Sequence, residues 1–148
     1  MGKERRKRNL AKFRALSGPD KWMLVHATVW LALARVLTLV MPFRKLAIWL
    51  SSKSNAAIGD PDSELLLRIG YAVRAAANNV PWRSDCFPQS IAGLMLTRHH
   101  GYRSTIHLGV ERVSGNEIAG HAWLTCGDTV VIGGEDVDRY AETLRLGE

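Results

Sequence analysis

Cysteine is scarce in this sequence, which has two in 148 residues, Cys86 and Cys126. Two cysteines in a chain of this length do not form a disulfide framework. We expect Cys86 at the start of a helix and Cys126 near the end of a strand, so both thiols are predicted to be reduced and the protein cytoplasmic. A signal peptide is not expected either, because no short apolar run with a cleavage site directly follows the basic start.

Metal-ligand patterns, repeats and low-complexity segments are also missing, apart from the basic start of the chain. No spacing of cysteine and histidine resembles a zinc site, and the adjacent His99 and His100 are interpreted as favourable charges at a helix C-terminus. We therefore expect no metal and no cofactor. The length predicts one domain, or a small core with an added helical layer, large enough to fold without disulfides or metals.

Acidic residues are in the minority, which gives a formal net charge of +6. Much of the excess lies near the start of the chain, in Lys3, Arg5, Arg6, Lys7 and Arg8. Residues 1–16 are predicted to be a basic, partly helical arm that is solvated and disordered, with docking on an acidic protein or peptide as the alternative. No nucleic-acid partner is expected, because no aromatic residues are interleaved with these charges.

Residues 22–41 are mostly apolar, and their number alone would permit a membrane span. Arg35 near mid-span would cost about 2.5–3.5 kcal/mol even on the mildest insertion scale, and His26 adds a second polar group. We expect no integral membrane span here, but a helix that packs among other helices, with part of its face docked on a partner. Ser17 and Asp20 have the spacing of the start of this helix.

The remaining periodicities predict helices first and a sheet afterwards. A short amphipathic helix is expected over residues 43–50, then a polar loop over 51–59, then a third helix with Asp60 as its cap. The core face of that third helix is predicted to hold Leu65, Leu66, Ile69 and Val73. Strands are predicted at 104–110, 117–126 and 129–133, so the order of elements is α+β with an antiparallel sheet.

The stretch around Cys86 predicts a helix with a cysteine in its first turn. Ser84 or Asp85 can cap this helix, and Pro88 is tolerated only near a helix start. An apolar face follows at Ile91, Leu94 and Met95. The positive end of the helix dipole lowers a thiol pKa and favours the nucleophilic thiolate, whereas the alternative interpretation is an inert core cysteine.

A histidine suited to act as the base lies on a later strand. His121 precedes a tight turn at Gly127-Asp128, and the chain then returns as a second strand. A cysteine at a helix start and a histidine on a strand are the pair that a thiol nucleophile and its base require. His107 on the neighbouring strand is a rival base, although an exposed or core-satisfied histidine is the favoured interpretation there.

These motifs occur together in one known family. Pro81 and Trp82 precede Cys86, Ser90 completes a Cys-x-x-x-Ser helix start, and His121-Ala122-Trp123 follows on a strand. With the apolar N-terminal helix, this combination resembles the transglutaminase-like cysteine peptidases of lasso-peptide biosynthesis, the B proteins, in the short form that carries the peptidase. The resemblance covers most of the chain after the basic start, and His-Ala-Trp is shared with transglutaminase-like proteins generally.

The resemblance implies a helical segment over residues 17–59, followed over 60–148 by a transglutaminase- or papain-like core whose Cys helix packs on a small antiparallel sheet. It implies a leader peptidase in which Cys86 attacks a peptide carbonyl and His121 is general base and acid. The implied partners are the precursor's leader peptide, a leader-recognition protein (a RiPP recognition element) and a lasso cyclase. Substrate or oxyanion contacts are expected from Trp82, Phe87 and Trp123.

The third catalytic group is where this sequence departs from the family. The family's usual orienting Asp, about a dozen residues after the histidine, falls on Gly133. A two-residue turn would pair Cys126 with Thr129 and place His121 opposite Gly134. Asp128 would then lie about 20 Å from the histidine, at roughly 3.3 Å per residue, and is excluded.

Glu135 and Asp136 are the nearest remaining acids, and Asp138 is a weaker choice. The alternative is that all three are solvated loop charges and that the enzyme works as a Cys–His dyad. The glycines at 133 and 134 would also leave room for a backbone carbonyl or a water to orient the ring.

Three other functions are compatible with the sequence. The same Cys–His pair could pass the acyl group to an amine, which would make the protein an acyltransferase. Cys86 could be structural in a non-catalytic scaffold that binds a peptide or partner, an interpretation to which the missing Asp gives weight. Residues 22–41 could also place the protein at a membrane surface.

Overall fold

Helices occupy the first two-thirds of the chain and strands the last third. The computed structural model describes residues 2–52 and 60–147. The helices are α1 Gly2–Ala15, α2 Gly18–Val40, α3 Phe43–Leu50, α4 Ser63–Ala77 and α5 Cys86–His99. The strands are β1 Thr105–Arg112, β2 Ile118–Cys126, β3 Thr129–Ile132 and β4 Ala141–Leu146, with a 3₁₀ helix, Val137–Arg139, before β4. The predicted α+β class is confirmed.

The caps explain where the helices begin. Ser17 caps α2, because its hydroxyl accepts from the backbone N–H of Asp20 (3.3 Å) and donates to that residue's carboxylate (2.6 Å). The predicted cap of α4 is wrong by two residues. Asp62, not Asp60, accepts from the N–H of Glu64 (3.0 Å), so the helix begins after Pro61 instead of at it. Of the predicted loop over 51–59, residues 53–59 lie outside the described residues.

The basic start of the chain is a helix, so the predicted helical character of the arm is confirmed for residues 2–15 and the predicted disorder is wrong there. The segment between residues 3 and 16 contains no glycine or proline and is rich in Lys, Arg, Ala and Leu, which are good helix formers. The side chain of Arg5 donates to the carbonyl of Asn78 (3.3 Å), and that of Asn9 bonds Asn79. These contacts tie α1 to the end of α4.

One face of α2 lies in the core. The buried positions recur at three and four residues, as one stripe of a helix does, and are Met23, Ala27, Leu31 and Ala34. This stripe packs on α4 and α5, which supports the prediction of a helix packed among other helices. By length and composition alone, α2 would also be able to cross a membrane.

The four strands form one antiparallel sheet in the order β3-β2-β1-β4. Helix α5 packs on one face of it, where a Cβ at Gly93 would lie 2.7 Å from Leu124 and 3.0 Å from Ile132. The strand β4, which pairs with β1 at the edge, was not predicted from the sequence. The sheet and α2 thus enclose α5 from different sides.

A cluster of three imidazoles joins α2 to the end of α5. The ring centroid of His99 lies 5.7 Å from that of His26 and 5.6 Å from that of His100. Burial lowers the pKa of His100, and the neighbouring His99, His26 and Arg68 lower it further. The described residues contain no group of three or more His, Cys, Asp or Glu side chains that could hold a metal ion.

Replacing Gly70 with alanine should lower the free energy of unfolding by about 1–3 kcal/mol. A Cβ there would lie 2.5 Å from the backbone oxygen of Val131, where α4 meets β3. This clash outweighs the roughly 1 kcal/mol by which alanine favours a helix over glycine. Urea unfolding of Gly70→Ala and of Gly18→Ala, whose Cβ meets nothing within 4 Å, measures the difference. Equal stability of the two variants would contradict the close approach.

Stability should fall as the pH drops below about 6.5, the unfolded-state pKa of histidine. Because the folded pKa of His100 is lowered, the unfolded chain binds more protons over this range, and stability lost there is regained as the pH rises. His100→Gln should reduce this pH dependence. His100→Arg should also reduce it, but should leave the protein less stable at every pH. Thermal unfolding across this range checks both, and an unchanged slope in His100→Gln would contradict the assignment.

Candidate active site

Cys86 is the first residue of α5, and its thiol is free and partly exposed. Asp85 occupies the N-cap position but makes no capping hydrogen bond, and its carboxylate instead lies 3.7 Å from Arg83. The first N–H groups of a helix have no partner within the helix, so those around Cys86 remain available to a ligand. The amide of Gln89 donates to the carbonyl of Ser84 (2.7 Å) and holds the preceding turn against the helix.

Three buried polar atoms near Cys86 have no hydrogen-bond partner in the described chain. They are Nε1 of Trp82, Oγ of Ser84 and Oγ of Ser90. An unpaired buried polar group costs about 1–3 kcal/mol, so buried donors of this kind are normally satisfied. The indole N–H of Trp82 can only donate a hydrogen bond. It belongs to a residue four positions before Cys86, and no acceptor in the described chain bonds to it.

The ring of His121 is held by a backbone carbonyl. Its Nε2 lies 2.8 Å from the oxygen of Gly133. A carbonyl oxygen only accepts, so Nε2 carries the proton and donates it to this bond. In the neutral ring the lone pair is then on Nδ1, which makes no hydrogen bond among the residues described. This tautomer leaves Nδ1 free to accept a proton.

Gly133 can approach His121 because it lacks a side chain. Its φ is +70°, and a Cβ would lie 2.7 Å from the backbone oxygen of Ala122. The predicted pairing of Cys126 with Thr129 is confirmed, but the placement of His121 opposite Gly134 is wrong. The register shifts at Leu124 and Thr125, and β3 ends at Ile132 before it reaches the level of the histidine. The extra residue of this bulge turns the chain, so that a carbonyl faces the ring.

Two aromatic rings flank the imidazole. Trp123 stacks against it with centroids 6.1 Å apart, and Tyr140 lies at 4.8 Å. Both pack over Gly109, where a Cβ would be 3.0 Å from either residue. Trp123 was predicted near the site, whereas Tyr140 was missed. No local sequence pattern identifies Tyr140 as a residue of the site. The 3₁₀ helix that follows β3 brings its ring beside the imidazole of His121.

Cys86 and His121 approach the same end of the molecule. Cys126, at the end of β2, donates through Sγ to the carbonyl of Arg103 (3.2 Å) just past α5, so the earlier residues of β2 run back towards the start of α5. However, His121 pairs with Gly109 and shares the sheet face of Trp123, opposite the face that packs on α5. Within the described ranges, Sγ of Cys86 forms no hydrogen bond with the ring.

The two predicted acids do not touch the imidazole in the described part of the protein. Glu135 and Asp136 are exposed, and the carboxylate of Asp136 lies 3.8 Å from the guanidinium of Arg139. Their role as orienting acids stays a prediction, to which the structure adds no contact. Phe87, predicted to contact substrate, lies with its ring centroid 6.1 Å from that of Phe43 in α3.

The rival histidine is engaged at both nitrogens. Nδ1 of His107 lies 3.0 Å from the carboxylate of Glu142, and Nε2 lies 2.8 Å from the hydroxyl of Thr125. Its ring also stacks on Trp123 with centroids 5.3 Å apart. The hydrogen bond from Arg145, followed by that from His107, lowers the pKa of Glu142 and keeps it ionised. The favoured interpretation of His107 as a satisfied histidine agrees with these contacts.

Comparison with models of known protein families gives a match. A family model described as the transglutaminase-like superfamily matches residues 28–145, which run from within α2 to β4. No curated protein and no solved structure matches the chain. The match therefore covers Cys86, His121 and every strand of the sheet.

Iodoacetamide should modify Cys86 and spare Cys126 in the native protein. Cys126 is 2 % exposed, and burial raises the pKa of its thiol, so little reactive thiolate is present. Cys86 is partly exposed at the positive end of a helix. Mass spectrometry of peptides after brief labelling measures both sites, and labelling in denaturant, where the two should react alike, is the control. Faster labelling of Cys126 than of Cys86 would contradict the partial exposure of the Cys86 thiol.

Proposed function

The chain belongs to the transglutaminase-like superfamily, whose domains are generally catalytic and cysteine-peptidase-like, and from this premise we propose that it is a cysteine peptidase. Cys86 is the nucleophile and His121 the general base and acid. The observation that carries the proposal is the hydrogen bond from Nε2 of His121 to the carbonyl of Gly133. This bond directs the proton to Nε2 and leaves Nδ1 as the base that a thiol needs.

The proposed reaction has two halves. Nδ1 of His121 takes the thiol proton, and the thiolate of Cys86 attacks the carbonyl carbon of the scissile peptide bond. The C–N bond then breaks, and the imidazolium gives its proton to the leaving amine. Water, deprotonated by the same nitrogen, hydrolyses the thioester and restores the thiol. Because the two side chains are not hydrogen-bonded at rest, substrate binding has to bring them together.

Donors for the oxyanion are available beside the nucleophile. The uncapped N–H groups at the start of α5 lie at the positive end of the helix dipole. The buried Nε1–H of Trp82 has no partner among the described residues and supplies a further donor. A tetrahedral oxyanion would satisfy groups that the free protein leaves unpaired, which stabilises the transition state more than the ground state.

A backbone carbonyl takes the place of the usual carboxylate. Gly133 orients the ring as an acid would, but a neutral oxygen stabilises the imidazolium less than a carboxylate does. The carbonyl is fixed by the strand that precedes it and by its close approach to Ala122, so it needs no side-chain ordering. On this account Glu135 and Asp136 are not required.

The substrate we propose is the leader of a ribosomally made lasso precursor peptide. The proposal rests on the resemblance carried by Pro81-Trp82, by Cys86 and Ser90, and by His121-Ala122-Trp123. Delivery of the leader by a separate recognition protein, with a cyclase acting afterwards in the cytoplasm, is proposed on the same resemblance.

One observation favours a second candidate, a non-catalytic peptide-binding scaffold. Sγ of Cys86 and the ring of His121 form no hydrogen bond in the described structure, and no carboxylate contacts the ring. A scaffold would keep the fold and the exposed helix start but would not need the pair to form. Loss or retention of cleavage in variants of the two residues separates these candidates.

Cys86→Ala and His121→Ala should each lower leader cleavage by about a thousandfold or more, because each removes one half of a unit that acts together. Mass spectrometry of a candidate precursor, incubated with this protein and the recognition protein, measures cleavage at a single bond. Glu135→Gln and Asp136→Asn should cleave nearly as fast as the unmodified protein, because the carbonyl of Gly133 holds the ring.

His107→Gln is the matched histidine control, because its ring is engaged away from the helix start. Cleavage that persists in Cys86→Ala would refute the peptidase mechanism and favour the scaffold. A large loss in Glu135→Gln or Asp136→Asn, with His121→Ala inactive, would keep the peptidase but overturn the carbonyl as the orienting group.

A further inference from the structure

The outward side of α2 is apolar along its whole length. Its exposed side chains recur at three and four residues and are 42–72 % accessible. We call this set the outer stripe: Trp22, Val25, Val29, Leu33, Val36, Leu39 and Val40. At 100° per residue it lies roughly opposite the buried stripe that begins at Met23. The helix therefore has two apolar faces, of which the fold covers one.

The exposed apolar surface continues into α3. Phe43, Ile48 and Trp49 are 40–65 % accessible, and α3 follows α2 after a break at Pro42. No charged residue interrupts the outer stripe, while Lys21 and Arg35 lie along one of its margins. A large contiguous exposed apolar patch on a soluble domain marks a surface that binds a partner or a membrane.

The same part of the chain carries more positive charge than the net charge of the whole chain. Residues 1–50 contain eleven of the twenty Lys and Arg but only two of the fourteen Asp and Glu. Their formal charge is +9, against +6 for the whole chain, so residues 51–148 together are acidic. A charge asymmetry of this kind between two parts of one chain indicates an anionic partner for the basic part.

The positive charge is not neutralised within the fold. None of the seven Lys and Arg of α1 forms an ion pair with another residue of the described ranges. Asp20, the only acid in residues 18–50, is taken by Arg68 (2.7 Å). Arg44 and Lys45 are exposed beside the apolar side chains of α3. Lys21, Arg35, Arg44 and Lys45, the cations beside the apolar side chains of α2 and α3, form no ion pair with another residue of the described ranges.

We propose that α2 and α3 dock on the surface of an anionic lipid bilayer, with the outer stripe at the headgroup–acyl boundary and the flanking cations among the headgroups. An amphipathic surface of this kind binds through buried apolar area together with attraction to anionic lipid. The helix lies on the membrane and does not cross it, because its other face is part of the protein core.

Charge argues against a second copy of the chain as the occupant. Two outer stripes in contact would bring together two segments that each carry +9. Charge alone would also suit an acidic protein, but a continuous apolar stripe more than 25 Å long, at about 1.5 Å per residue, matches the depth and extent of a lipid interface better. The proposal does not rest on the peptidase function.

The test is co-sedimentation of the full chain with vesicles of phosphatidylcholine, with and without phosphatidylglycerol. Binding is expected only when the anionic lipid is present, and it should weaken as salt is added. The double variant Val29→Ser with Val36→Ser should bind about tenfold more weakly or worse. Its matched control, Val113→Ser with Ile118→Ser, removes two apolar side chains of at least equal exposure from the β1–β2 hairpin and should bind normally.

Charge is tested in the same way. Arg44→Gln should weaken binding about fivefold, whereas Arg112→Gln on the sheet should leave it unchanged. Quenching of tryptophan fluorescence by brominated lipid should fall in Trp22→Phe, which locates the contact, and circular dichroism confirms that each variant is folded. Equal binding to neutral vesicles, or normal binding by the Val29→Ser, Val36→Ser variant, would overturn the proposal.

Absence of vesicle binding would also overturn it, and the molecular mass in solution would then identify the alternative. A dimer that the Val29→Ser, Val36→Ser variant dissociates would assign the outer stripe to a second copy. A monomer in solution would instead assign the outer stripe to an acidic protein.

Discussion

Burial of α5 on all sides is the constraint on which the rest of the structure depends. From Ser90 to Thr97 every residue of the helix is buried, so no face is left for solvent. A single large side chain buried in this way contributes about 1.5–3 kcal/mol, and the neighbours that supply this burial are α2, α4 and the sheet. The start of the helix is consequently fixed while its first residue, Cys86, stays partly exposed.

A second constraint acts at His121, the other residue of the candidate site. The chain leaves β3 through Gly133, whose backbone approaches Ala122 too closely for any side chain. An Asp at this position would place its Cβ 2.7 Å from the backbone oxygen of Ala122, so the geometry that brings the carbonyl to His121 leaves no room for that side chain. The absence of a carboxylate at residue 133 and the presence of the carbonyl are thus two consequences of one backbone conformation.

Local signals explain what the sequence could predict. The apolar spacing and the proline break placed α3 at its observed bounds, and Ser17 with Asp20 marked the start of α2. The features that the sequence predicted wrongly or missed depend on tertiary structure. The bulge beside Thr125 altered the register opposite His121, and β4 is an edge strand whose Leu144 is 40 % exposed, which weakens the usual alternation. The orienting carbonyl could be foreseen only as one alternative, because any residue type supplies one.

The two faces of α2 connect the helix that carries Cys86 to the outside of the molecule. The buried stripe packs on α5, whose first residue is Cys86, while the outer stripe is left exposed by the fold. Material that covers the outer stripe would restrict the motion of α2 and, through it, of the helix that carries the thiol. In the proposed mechanism Cys86 and His121 have to come into contact before they react, so a ligand of the helical segment would act on the same step as a substrate.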